Sequence, residues 1–378
     1  MPYLPSTRRA RSARAASSPA ASGHPPLTLA LSMAACFVPA AVHAQATGMQ
    51  AIHGAASIAT QGNRTVITTQ NGAGTSHSAL NWQSFGVAPG TVTQFNQPSA
   101  ASTSINRVLG NNPSAIFGTL SSNGKLVLVN PAGIAVGASA VVDTAGFTAS
   151  TLRMSDADAL AGRLVFGDGA LAGALSVNGH IVARGGDVVL IAPDVQAGAG
   201  AIIESPNGAT VLAAGRKVEV TGRGLEGIHL QVQAPTDQAV NLGQLKGDAV
   251  GIFAGTLKHS GLVRATAVSV EGGKVVLKGQ DSAEIAGTVE ARKGALGGTV
   301  HATAHKVMLK SGAVIDVSGE AGGGEVLVGG GWQGRDSRIA NAQSTTAEAG
   351  ATINADATAR GDGGTVVIYA NARPATSA

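Results

Sequence analysis

Residues 105–120 read INRVLGNNPSAIFGTL, residues 122–142 read SNGKLVLVNPAGIAVGASAVV, and residues 146–152 read GFTASTL. The apolar runs in these segments are short, and each closes on Asn, Gly or Asn-Pro. No helical period of useful length interrupts them, so the punctuation is that of strands and turns. Glycine turns a corner by accepting φ > 0, and proline by fixing φ while lacking a donor. The stretch therefore specifies an all-β chain.

The same grammar continues toward the C-terminus. A glycine opens a β-branched segment at Gly124, Gly179, Gly186, Gly208, Gly227, Gly247, Gly273, Gly298, Gly324 and Gly364. Strands are expected behind them over 125–129, 187–191, 209–212, 228–232, 249–253, 274–277, 325–328 and 365–369. Most steps between these glycines are about 20–26 residues, which suits one coil of a parallel β-helix with loops of uneven length. About 15 such coils would form a rod of order 70 Å, because stacked strands lie ~4.8 Å apart. A β-sandwich is the rival, but it would need tight hairpins and cleaner alternation. Residues 45–80, with a strand over 65–69, are expected to cap the open N-terminal edge, which would otherwise template aggregation.

Composition agrees with thin stacked layers. Of 378 residues, 53 are glycine, 13% are charged and 3% aromatic. The first 44 residues contain no acid but carry Arg8, Arg9, Arg11 and Arg14, followed by an apolar run from Leu27 to Val42. Val42-His43-Ala44 and Ala44-Gln45-Ala46 are small-residue cleavage patterns, so 1–44 read as an export signal. The single cysteine, Cys36, falls inside that signal. Met33-Ala34-Ala35-Cys36 is a weaker, lipoprotein-like alternative, whereas processing after Ala44 leaves a chain without a thiol. Without those four arginines the 26 basic residues balance the 22 acidic ones, so charge gives no argument for nucleic acid.

Asn81-Trp82-Gln83-Ser84-Phe85, Gln94-Phe95-Asn96-Gln97-Pro98, Ile105-Asn106-Arg107-Val108, Pro113-Ser114-Ala115-Ile116-Phe117-Gly118, Asn130-Pro131-Ala132-Gly133-Ile134 and Ala149-Ser150-Thr151-Leu152 follow one another in order. This series resembles the two-partner secretion domain of filamentous haemagglutinin-type exoproteins, also called the haemagglutination activity domain. The family usually has Asn where Ala132 stands. The resemblance implies a secreted surface exoprotein or adhesin. Such a chain is exported to the periplasm, threaded through an outer-membrane β-barrel transporter with periplasmic receptor domains, and folded outside the cell. It implies a right-handed parallel β-helix with an N-terminal cap, with 1–44 as signal, 45–290 as secretion domain and 291–378 as further glycine-rich coils. It also implies a secretion motif in Asn106, Arg107, Val108 and Leu109 and in Asn130, Pro131, Gly133 and Ile134. No cofactor is implied, and host-cell or carbohydrate ligands are the expected partners of the exported protein.

Read as chemistry alone, Asn130 is expected to bond its own backbone while Pro131 sets a corner. Trp82, Phe85, Phe95, Phe117 and Phe147 are expected to form a local apolar stack between cap and helix, with a sugar platform as the other use of such rings. His301 and His305 invite a metal, but on a strand that spacing spans about 13 Å, too far for one ion. The opposing functional reading is a β-helical polysaccharide lyase or hydrolase. That chemistry needs clustered carboxylates, whereas Asp143, Asp156, Asp158 and the other acids are scattered in sequence.

Overall fold

The structure, a computed structural model, describes residues 46–167, 172–267, 272–337 and 339–371. The export signal read over 1–44, Cys36 included, lies outside them.

Three parallel strand stacks form a β-helix. One face climbs through His77–Trp82, Thr103–Val108, Lys125–Val129, Gly146–Ser150 and Val188–Ala192 into the later strands, ending at Glu325–Val328 and Thr365–Ile368. A second face begins at Arg64–Gln70 and Val92–Asn96 and ends at Thr352–Asn354. The third runs from Ser114–Ile116 to Ser344–Ala347. Backbone groups thus pair between coils, as the short turn-bounded runs require. The right-handed parallel β-helix with an N-terminal cap is the fold of this chain.

Inward residues make one continuous core. On the first face Leu80, Asn106, Leu128, Ala149, Leu190 and Leu212 lie in successive register. All but the asparagine are apolar members of the main core. Trp82, Phe85, Phe95 and Phe147 are also buried there, with the Trp82 and Phe85 rings edge-to-face at 5.4 Å, while Phe117 is half-buried.

Several details differ from the sequence reading. The first face holds eleven levels among the described residues, or roughly 50 Å of stack rather than 70 Å. Fewer coils form because some leave the helix before returning: Phe147 lies directly beneath Val188, and Ala209 beneath Ala249. Residues 228–232 are a strand, as read, but not a coil strand. Ile228–Val232 joins Lys217–Val220 and Leu164–Phe166 in a separate antiparallel sheet. Gly227 therefore marks an excursion and not a corner. In the cap, Gln50–His53 and Ala55–Gln61 run antiparallel to their neighbours, whereas the strand read over 65–69 already starts the parallel stack.

The excursions bury the outer side of the first face. Ile105, Val127, Val129, Val189 and Val211 point outward into a second apolar cluster with Leu152, Met154, Phe166 and Val218. Strands buried on both faces lose polar alternation, which is why residues 126–129 and Val188–Ala192 read as unbroken apolar runs. A six-residue helix, α1 (Asp156–Ala161), begins on Ser155, whose hydroxyl accepts from the Asp158 amide, and ends at Gly162 with φ of 69°. The serine and the N3 acid satisfy each other reciprocally.

Candidate functional site

The two motif segments come together at the edge of the second and third coils. Asn106 is 1% exposed inside the apolar stack. Its Oδ1 accepts from the Trp82 indole Nε1 at 3.0 Å, and its Nδ2 donates to the Ser104 carbonyl and hydroxyl, both at 3.1 Å. A buried amide is tolerable only when so satisfied. Asn106 therefore fixes the Trp82 ring from the coil above, and Trp82 is a partner that the motif itself did not reveal.

Asn130 is fully buried and ties three pieces of chain. Its Nδ2 donates to the Asn112 carbonyl at 3.0 Å and the Ser114 hydroxyl at 2.9 Å, while its Oδ1 accepts from the Ala132 amide at 3.0 Å. The last contact is the local backbone bond expected of an Asn that opens a turn. The turn closes with the Gly133 amide on the Asn130 carbonyl at 3.0 Å. Gly133 has φ of 125°, and a Cβ there would lie 3.3 Å from the Ala174 carbonyl oxygen. Pro131 is half-buried, and Ile134 enters the core between Ser114 and Leu175. Asn130 thus bolts the 111–114 loop of one coil to the corner of the next.

Arg107 and Val108 are buried, and Leu109 is 60% exposed. The Arg107 side chain points outward from the first face to meet the start of α1, where Nη2 donates to the Asp156 carboxylate. Between the motif segments lies a groove of about 460 Å³, walled by Val108, Leu109, Pro131, Ala132 and the Arg153–Asp156 segment. The sequence reading brought the two motifs to the site but missed the segment at 153–156. Ser155-Asp156-Ala157-Asp158 carries a capping signal that could have located it.

The other candidates are placed elsewhere. His301 lies on Thr299–Thr303 with its ring Nε2 3.2 Å from Glu325, and His305 falls beyond that strand's end. Asp143 pairs with Arg184, and Asp158 with Ser155 and Arg163. The Ser155 hydroxyl, aided by Arg163, holds the Asp158 carboxyl below its ordinary range against its partial burial. Asp143 and Asp158 are thus each engaged by a basic partner.

Comparison with known proteins assigns the family. Residues 42–323 match the family model described as the TPS secretion domain. The HMW1 secretion domain from Haemophilus influenzae superposes with a TM-score of 0.77 at 31% identity, covering 85% of this chain and 94% of that one. A heme/hemopexin-binding protein of H. influenzae strain Rd is 29% identical over 251 residues, which is 62% of this chain and 27% of that protein. Another heme/hemopexin-binding protein from H. influenzae is 36% identical over 78 residues, 21% of this chain and 8% of that one. The match therefore spans about a quarter or less of the length of these curated relatives. By the family match and the shared fold, the chain belongs to the TPS secretion domain family, whose proteins pass through the outer membrane to the cell surface or the medium.

Proposed function

We propose that this chain carries the secretion signal of a two-partner exoprotein, and that the signal is read before the domain folds. The observation that carries this reading is the burial of the motif's core-facing side chains: Asn106 is 1% exposed, Asn130 0% and Ile134 2%. A partner cannot reach side chains so enclosed in the finished helix, so any direct recognition of them takes place on the unfolded chain. The reader is an outer-membrane β-barrel transporter with soluble periplasmic receptor domains. Once outside, the same asparagines close the second and third coils, and later coils add onto that template. Recognition and folding nucleation are two successive uses of one motif.

The region 45–290 is the part that suffices for export, and 291–378 extends the helix. The exported protein acts by binding host or carbohydrate ligands, not by catalysis. Support for this comes from relatives named for heme and hemopexin binding. The test is release into the medium of a chain ending near residue 290, with and without the co-expressed transporter. Transporter-independent release contradicts the secretion reading, and cleavage of a polysaccharide by the released protein contradicts the non-catalytic one.

A further inference from the structure

Arg107 is 4% exposed beneath the groove, yet only one of its donors is engaged, Nη2 on Asp156. Its Nε and Nη1 are buried without a hydrogen-bond partner. Buried donors left unmade are costly, and each one in a native structure calls for an explanation. A guanidinium meets a carboxylate best through two parallel bonds. Asp156 offers a single contact from a side chain that is 79% exposed, so the buried guanidinium is met from one, solvent-facing carboxylate only. The start of α1 does not depend on this contact, because Ser155 and Asp158 cap the helix reciprocally.

The groove above Arg107 has the composition of a docking site. Its wall is apolar through Val108, Leu109, Pro131, Ala132 and Met154, and Arg153 adds a second cation against the one carboxylate. Its volume of about 460 Å³ lies in the range of small-ligand sites. No aromatic ring lines it, so the stacking platform that a sugar would use is missing.

We propose that this groove binds an extended peptide segment bearing a carboxylate side chain beside an apolar one, with Arg107 as the anchor and Asp156 as the internal stand-in that the ligand displaces. The incoming carboxylate displaces Asp156 from Nη2 and pairs with the guanidinium there, and its apolar neighbour covers the exposed Leu109 against Pro131. The site exists only in the folded chain. It is therefore independent of recognition during export, and its failure would leave that reading intact.

Fluorescence polarisation on the full folded chain tests it, with a labelled Gly-Leu-Ser-Asp-Gly peptide and its Asn counterpart as probes. The Asp peptide should bind at least about tenfold more tightly than the Asn peptide. Asp156→Ala should tighten it by roughly three- to tenfold by removing the competitor. Arg107→Lys should lose about tenfold because the planar fork is gone. Should that variant fail to fold, Leu109→Ser, on an exposed position, should still weaken binding by roughly threefold. Equal affinity for the two peptides overturns the proposal, as does absence of binding by both the parent and Asp156→Ala. Binding of N-acetylneuraminate without the peptide overturns it in favour of an acidic sugar.

Discussion

At the scale of single residues, buried polar groups carry much of the specificity of this fold. Gly133 sits at φ of 125° with little room for a Cβ beside Ala174. Gly133→Val should therefore destabilise by roughly 1–3 kcal/mol in urea denaturation, whereas Pro131→Ala should cost much less. Unchanged stability for Gly133→Val would show that the corner needs no glycine. Asn106 and Trp82 form a coupled pair. Asn106→Leu strands the indole donor and should cost about 1–3 kcal/mol, and most of that loss should disappear when Trp82→Phe removes the donor as well. A double-mutant cycle that showed simple additivity would contradict the pairing. His259 supplies a pH readout. It is enclosed, with Nδ1 3.1 Å from the Asn241 amide nitrogen and Nε2 3.1 Å from the Thr288 carbonyl. Burial lowers its pKa to about 4, overriding the opposing hydrogen bonds to Thr288 and Asn241. The unfolded chain takes up this proton near pH 6.5 and the folded chain only near 4. The contribution is thus complete above about pH 6.5 and is lost as pH falls toward 4, a change of roughly 3 kcal/mol. Stability measured across that window should fall more steeply for the parent chain than for His259→Gln, and parallel profiles would sink the assignment.

At the scale of elements, what the sequence displayed and what it hid have different physical causes. Lys125–Val129 and Glu325–Val328 fall where their glycine-led runs put them, because a strand between two tight corners is set by local chemistry. Asn130 bonding its own turn was legible for the same reason. The sheet to which a strand belongs is not local information. Ile228–Val232 has the right composition for a coil strand, yet it pairs with Lys217–Val220 in the antiparallel sheet. The Arg107–Asp156 contact joins positions 49 residues apart through an excursion that no period announces. The outward valines at 127, 189 and 211 were a usable clue, since a strand apolar on both faces must be covered on both. Phe166 anchors that cover and is fully buried. Phe166→Ala should destabilise by about 3–5 kcal/mol in equilibrium denaturation if the added sheet is integral to the fold. A loss below about 1 kcal/mol would mean that the excursion rests loosely on the helix.

At the scale of the molecule, each coil contacts chiefly the coils above and below, so stability accumulates by nearest-neighbour stacking and folding can propagate from one end. The N-terminal cap closes the first edge, and the asparagine-bolted second and third coils stand next to it. That order suits a chain that emerges from a transporter and builds on its first coils. In the proposed function, the buried asparagines act on the unfolded chain, first as part of a signal and then as a fold seed. The measurement that tests it most directly is release into the medium of the chain ending near residue 290, co-expressed with its transporter, in parent and Asn130→Ala forms. The account predicts transporter-dependent release of the parent and reduced release of Asn130→Ala. Release of the parent without the transporter, or undiminished release of Asn130→Ala, would contradict it.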